Sequence, residues 1–483
     1  MKIKYLLLSL LIPFVGRGQQ WIDTTHTIQT SFDIQYGTAT DFAGNSINLE
    51  MDISYPTNDT IPPCGRPLIL LIHGGAWLVG SKEDVAIVRM REDFAKRGYT
   101  SASVNYRLGQ YNTDAYVNCN ASSLFNVNWN CLNMTDEGEW YRAKHRAVQD
   151  VNGAIRFLVN NAATYDIDPS NIFIAGESAG GFIALSAGFI DDNSEVLDSL
   201  TGLNPDAPAP NTLYESSCIQ ANGFAVDIDS MDLSRPDLGS YEGTLNYPAN
   251  AAYSIKGVGS FFGGVFTNIF HSNSSNIPGL YLYHQPCDLI VPYNYSRVFT
   301  DYQNCLMGFP TYCGYIVNKP YVYGSYGIKL LLDTMDINGI PTPDYLLDNT
   351  TNTWNCIEQA NPSQVGHAID NYWLRTSNMA VFFAAKIESC STSTTEGISK
   401  PLHDIVIFPN PSSSDITIDL NENYNQVEIT FVTLLGQFIK VYNFHNLNLI
   451  KLNLNELDNG AYLMNINLNN EITLQKKIIK AID

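Results

Sequence analysis

The sequence predicts an α/β chain: a doubly wound, mostly parallel sheet, plus a small C-terminal all-β sandwich. Three observations carry that expectation. Short apolar runs alternate with helical stretches over most of the chain. A segment with the composition of a linker then intervenes, and beyond it apolar and polar residues alternate in short runs. Parallel neighbours need a crossover, so strand, helix, strand, helix is how such a sheet is written. Alternation at period two marks strands with one buried face.

The elements follow in order. Residues 28–56 alternate like strands and end at Tyr55-Pro56. After Pro67, the apolar run Leu68 to Ile72 reads as a buried parallel strand. Glu83 to Arg97 has helical spacing, with Gly98 as its stop. Thr100 to Tyr106 is the next strand, residues 142–163 a helix, and Asn171 to Ala175 a short apolar strand. Further strands are expected at 219–226, 279–284 and 343–347, with a helix at about 324–337. Two polar, aromatic stretches at 108–140 and 349–365 interrupt this grammar as insertions. Loops of such length usually build binding sites or are disordered.

Domain limits come from shifts in texture. Residues 1–18 read as a signal peptide: Lys2 and Lys4, an apolar run from Tyr5 to Val15, then Gly16-Arg17-Gly18 with cleavage after Gly18. The apolar run is too short to span a bilayer, and no other segment is apolar enough to do so. Residues 19–390 form the doubly wound domain with its insertions, 391–403 the linker, and 404–483 the β-sandwich. Within that last segment, Pro409-Asn410-Pro411 and Asp458-Asn459-Gly460 supply turns.

A formal net charge of -21 argues against nucleic acid or an anionic membrane surface as partner. Nine cysteines suit an oxidising compartment. Cys119 with Cys131 and Cys305 with Cys313 are spaced as local disulfide staples, Cys356 and Cys390 are a third candidate pair, and the odd count leaves a free thiol. No CxxC or His-rich cluster suggests a metal.

The chemistry centres on Gly176-Glu177-Ser178-Ala179-Gly180, a G-x-S-x-G between an apolar strand and an apolar helix. A residue there sits on a sharp turn that lifts its side chain above the sheet, and flanking residues must be small. The competing reading is a glycine-rich turn with a bystander serine. A second motif, His73-Gly74-Gly75-Ala76-Trp77, follows the strand at 68–72. The N–H groups of Gly74 and Gly75, with that of Ala179, suit an oxyanion hole. Serine needs a base, and with this nucleophile turn the chain order is Ser, acid, His. Five of the eight histidines follow Ser178. His403 and His445 lie in or beside the β-domain, His271 precedes any good acid, and His284 falls inside a strand. His367 remains as the base. Asp288, just after the strand at 279–284, is the preferred acid, ahead of Asp333, Asp336 and Asp344. Trp77, Trp140 and Trp354, with Tyr111, Tyr116 and Trp129, are candidates to wall a substrate pocket.

These motifs carry a resemblance. HGGAW at 73–77, Gly80-Ser81-Lys82, Val104-Asn105-Tyr106-Arg107-Leu108, Gln149-Asp150, Ile167-Asp168-Pro169, GESAGG at 176–181, CDLIVPY at 287–293 and Gly366-His367 occur in order. Over about residues 45–388 the chain resembles α/β-hydrolase esterases of the hormone-sensitive-lipase-like and bacterial feruloyl and acetylxylan esterase type. The resemblance implies cofactor-free hydrolysis of carboxylic esters, small-molecule or polysaccharide-linked, with Ser178, Asp288 and His367 as triad. The insertions are longer than usual, and Cys287 stands where glycine or threonine is commoner. Over about 404–483, Phe408-Pro409-Asn410-Pro411, Leu435-Gly436-Gln437, Asp458-Asn459-Gly460-Ala461-Tyr462 and the terminal Lys476-Lys477-Ile478-Ile479-Lys480 resemble a type IX secretion sorting domain. That implies a secreted or cell-surface protein of a Bacteroidetes-type Gram-negative bacterium, handed to outer-membrane secretion machinery. A serine peptidase of the same fold and a non-catalytic surface-binding protein are the alternative functions. A carbohydrate-binding or adhesion sandwich is the alternative for the C-terminal domain.

Overall fold

The computed structural model describes residues 20–41, 45–109, 137–196, 237–270, 277–300, 319–349, 366–388, 406–408, 412–433, 438–458, 460–469 and 472–480. The chain divides into two units, Met1–Ser391 and Thr392–Asp483. The signal segment, the linker, the strand expected at 219–226 and the three candidate cysteine pairs lie outside the described residues. Cys287 is not part of a disulfide.

In the first unit, β1 (Ile28–Thr40) and β2 (Ser46–Pro56) form an antiparallel hairpin. Then come β3 (Arg66–Ile72), α1 (Val85–Lys96), β4 (Thr100–Val104), α2 (Glu137–Asn160), β5 (Ile167–Glu177) and α3 (Ala179–Phe189). The remaining elements are β6 (Ile255–Phe261), β7 (Gly264–Val265), β8 (Gly279–His284), β9 (Tyr295–Arg297), β10 (Tyr321–Gly324), α4 (Ser325–Ile337), β11 (Tyr345–Asn349) and α5 (Tyr372–Ala384). Eight strands make one sheet in the order β1-β2-β4-β3-β5-β6-β8-β11. From β4 onward every pairing is parallel. β7, β10 and β9 form a separate small antiparallel sheet. Both faces of the large sheet are covered. Leu68, Leu70, Ile72 and Ile174 pack into one apolar layer with α2 and α3, and Ile69, Leu71 and Phe173 into the other with α1 and α5. Central strands buried on both faces must be continuously apolar. That is why Leu68 to Ile72 was legible as a strand.

β6 was not foreseen. Its sequence, Ile255-Lys256-Gly257-Val258-Gly259-Ser260-Phe261, reads as a glycine-rich loop, yet it is the strand beside β5. The glycines make room for α5. A Cβ on Gly257 would lie 2.8 Å from Phe173 and 2.9 Å from Phe383, and one on Gly259 would lie 2.6 Å from the Met379 sulfur. Close packing of a helix on the sheet, not turn formation, fixes these glycines.

The second unit pairs a three-stranded sheet, β12 (Val406–Phe408), β13 (Asp415–Tyr424) and β16 (Leu447–Asn453), with a four-stranded one. The latter comprises β14 (Val427–Thr433), β15 (Phe438–Phe444), β17 (Gly460–Leu468) and β18 (Ile472–Lys480). All pairings between these strands are antiparallel, and Ser412 makes an isolated parallel bridge to Lys480. Ile416, Ile418, Ile429, Phe431, Met464, Ile466 and Ile478 fill its core. Neither β15 nor β16 was expected. In β16, Leu449 is exposed while Ile450 is buried, so apolar character does not follow the buried face.

Candidate active site

Ser178 occupies the turn between β5 and α3 at φ 51°, ψ -121°. L-residues rarely adopt positive φ, and the cost is of order 1–3 kcal/mol. The turn is so sharp that its two flanks touch. A Cβ on Gly176 would sit 2.3 Å from the Gly180 carbonyl carbon, and one on Gly180 2.1 Å from the Ile72 oxygen. Only glycine fits either place. The Ser178 N–H donates to the Phe261 carbonyl at 2.9 Å, which ties the turn to the end of β6.

His367 Nε2 stands 2.8 Å from Ser178 Oγ, and its Nδ1 stands 2.7 Å from Asp288 Oδ2. Gly366, at φ 72°, sets the imidazole in place, because its Cα side presses on the acid loop: a Cβ there would lie 2.6 Å from the Cys287 carbonyl oxygen. The Phe262 ring, 4.6 Å away between centroids, packs on the imidazole. Phe262 itself has φ 40°.

Asp288 is buried. Its Oδ1 accepts the N–H groups of Ile290 at 2.8 Å and Val291 at 3.1 Å. Its Oδ2 accepts from His367 and also from His284 Nε2 at 3.1 Å. Burial pushes the carboxyl pKa up, but the His367 charge and the two imidazole hydrogen bonds outweigh it and hold the group below its ordinary value.

The HGGAW segment lies against Ser178. A Cβ on Gly74 would come 3.2 Å from Ser178 Cβ. His73 is buried and stacks on Tyr106 at 4.3 Å, and burial drives its pKa down to about 4. Its Nδ1–H donates to the Gly74 carbonyl at 2.7 Å, and the Tyr106 hydroxyl donates to the same oxygen at 3.1 Å. In a trans peptide the following N–H points opposite the carbonyl, so these two bonds fix the direction of the Gly75 N–H. Among the described residues the N–H groups of Gly74 and Gly75 have no acceptor. The Ala179 N–H is in the first turn of α3, where intrahelical partners are lacking.

Ser178, His367, Asp288, Gly74, Gly75 and Ala179 are thus brought together. Trp77 and Trp140 are not presented to solvent. They pack edge to face at 5.6 Å in the apolar core, 1% and 4% exposed, with Phe182 also against Trp77. Trp354, Tyr111, Tyr116 and Trp129 lie outside the described residues. Two residues passed over in the sequence also belong here. His284 was discounted because it falls in a strand, although it stands four residues before Asp288. Glu177, inside the motif itself, has its carboxyl pushed up to about 7 by burial, with Asp84 adding and His367 opposing.

Comparison with known proteins finds partial similarities. Residues 51–122 and 140–215 match the family described as BD-FAE, and residues 406–481 match the secretion system C-terminal sorting domain. Two segments of the chain are thus similar to an esterase-type family and to a secretion sorting domain. The chain is 28% identical over 134 residues to a probable isoprenylcysteine alpha-carbonyl methylesterase of Oryza sativa subsp. japonica. That stretch covers 28% of this chain and 23% of the relative. The Arabidopsis thaliana counterpart is 25% identical over 141 residues, covering 29% and 22%. The chain therefore spans less than a quarter of the length of either methylesterase. Among solved structures, an esterase of the planctomycete Thermogutta terrifontis aligns with 76% of this chain and 95% of its own, at 16% identity and a TM-score of 0.34. A sorting domain of this kind implies a secreted or cell-surface protein and a secretion machinery as partner. Among the described residues, no helix is long and apolar enough to cross a membrane.

Proposed function

We propose that this protein is a serine carboxylic-ester hydrolase that works through an acyl-enzyme, with Ser178 as nucleophile, His367 as base and Asp288 as acid. One observation carries the reading: an unbroken hydrogen-bond path from Asp288 through His367 to Ser178, beside two N–H groups without acceptors. His367 takes the Ser178 proton as Oγ attacks the ester carbonyl. The oxyanion is held by the N–H groups of Gly74, Gly75 and Ala179, each such donor being worth about 3 kcal/mol in the transition state. The alcohol leaves with the proton from His367, and water then releases the acid by the same route. Asp288 keeps the imidazole in the tautomer that presents Nε2 to the serine. Export through the outer membrane suits a substrate too large to enter the cell, so acetyl or feruloyl esters of polysaccharides are the proposed class. The sorting domain is the export address, and its residues 404–483 are dispensable to catalysis. The test is hydrolysis of p-nitrophenyl acetate by the wild type and its loss in Ser178→Ala. Release of acetate or ferulate from polymeric substrates, against no cleavage of peptides, fixes the substrate class. Equal turnover by Ser178→Ala would overturn the proposal.

A further inference from the structure

The geometry points to His284 as a positioning residue that holds the Asp288 carboxylate in line with His367. This rests on the triad reading and deepens it. His284 is fully buried at the end of β8. Its Nε2 faces only acceptors, Asp288 Oδ2 and the Val291 carbonyl, both at 3.1 Å. That nitrogen therefore carries the proton and donates. Its Nδ1 is then the acceptor, and Ser325 at the start of α4 supplies the donor, with Oγ at 3.1 Å. The Tyr293 ring meets the imidazole edge to face at 5.5 Å. Asp288 Oδ2 thus lies between two imidazoles, one aimed at the nucleophile and one anchored to a helix. Together with the two backbone donors on Oδ1, the carboxylate has four donors, two on each oxygen. A carboxylate so saturated can neither rotate nor draw the proton off His367.

Removing the His284 donor has a calculable sign. Oδ2 keeps a single strong partner, becomes more basic and stabilises the His367 imidazolium further. The acid limb of kcat/KM then moves to higher pH. The carboxylate also gains freedom, so kcat falls while KM, which reads substrate binding, does not. Among the described residues, His284 and His367 face Asp288, the Tyr293 ring packs on His284, and Glu177 is coupled to His367.

The experiment compares wild type, His284→Met and His284→Gln, with Ser178→Ala as control. His284→Met is expected to lose about ten-fold or more in kcat, with KM little changed and the acid limb displaced upward. His284→Gln retains an N–H donor and is expected to recover much of both. A wild-type measurement needs no variant: ¹⁵N NMR of histidine-labelled protein at pH 8 is expected to show His284 with the proton on Nε2. A proton on Nδ1, or a His284→Met enzyme with wild-type kcat and acid limb, would overturn the inference. If Ser178→Ala remained active, the triad reading would fall instead. An inactive Ser178→Ala beside a wild-type-like His284→Met removes the His284 role alone.

Discussion

Gly176 and Gly180 touch backbone to backbone across the nucleophile turn, with no room for a methyl group on either. Alanine at Gly180 would have to displace the carbonyls of Ile72 and His73, which belong to the neighbouring strand and the oxyanion segment. Gly180→Ala is therefore expected to cost about 3 kcal/mol or more in stability, as overpacking and backbone strain combine. It should also abolish esterase activity in whatever fraction folds. Denaturant unfolding with activity per folded molecule checks both.

Ser178 holds an unfavourable φ that turns its hydroxyl toward His367. Ser178→Gly should relieve that strain and raise stability by about 1 kcal/mol, while hydrolysis disappears. A thermal midpoint unchanged or lowered in Ser178→Gly would contradict the assignment of strain to this residue.

Asp288→Asn should keep the fold and lower kcat by about four orders of magnitude, because the amide favours the wrong imidazole tautomer. The measurement is steady-state kinetics on p-nitrophenyl acetate. A loss of ten-fold or less would remove Asp288 from the relay.

Most of the residues proposed for this site were read from residue type and spacing, for a physical reason. A nucleophile turn demands glycines at fixed offsets, and a strand buried on both faces must be apolar, so Ser178 and Leu68 to Ile72 stand out. The proposed base and acid were reached by elimination and chain order. What escaped depends on packing between distant segments. Gly257 and Gly259 look like loop residues until α5 is laid against them. His284 looks like a core histidine until the Asp288 loop folds back over it. Trp77 and Trp140 follow motif or loop sequence and invite a binding role, yet their large apolar rings are better accommodated in the core.

Glu177 binds its proton more tightly in the folded protein than a free carboxyl does, about 7 against 4.5. The folded state therefore holds an extra proton between these values, and stability falls as pH rises through that window. Glu177→Gln removes the slope. It should be more stable than wild type at pH 8, by up to about 3 kcal/mol for a shift of this size, and nearly equal to it at pH 4. Unfolding curves at the two pH values decide it.

Asp52 is buried between two cations, accepting Arg91 at 2.9 Å and Lys82 at 2.9 Å. Asp52→Ala leaves both charges without that partner and should cost about 3–5 kcal/mol. Activity per folded molecule should stay close to wild type, because the cluster joins β2 to α1 and touches none of the reacting groups. Chemical denaturation provides the comparison.

The contact between Gly366 and the Cys287 carbonyl has an evolutionary corollary. Imidazole and carboxylate ride on one shared brace, so their spacing is insulated from the length of chain between residues 288 and 366. That intervening segment can be lengthened, shortened or rewritten while His367 and Asp288 stay in register. Change between those positions is therefore expected to accumulate sooner than change at the joint itself.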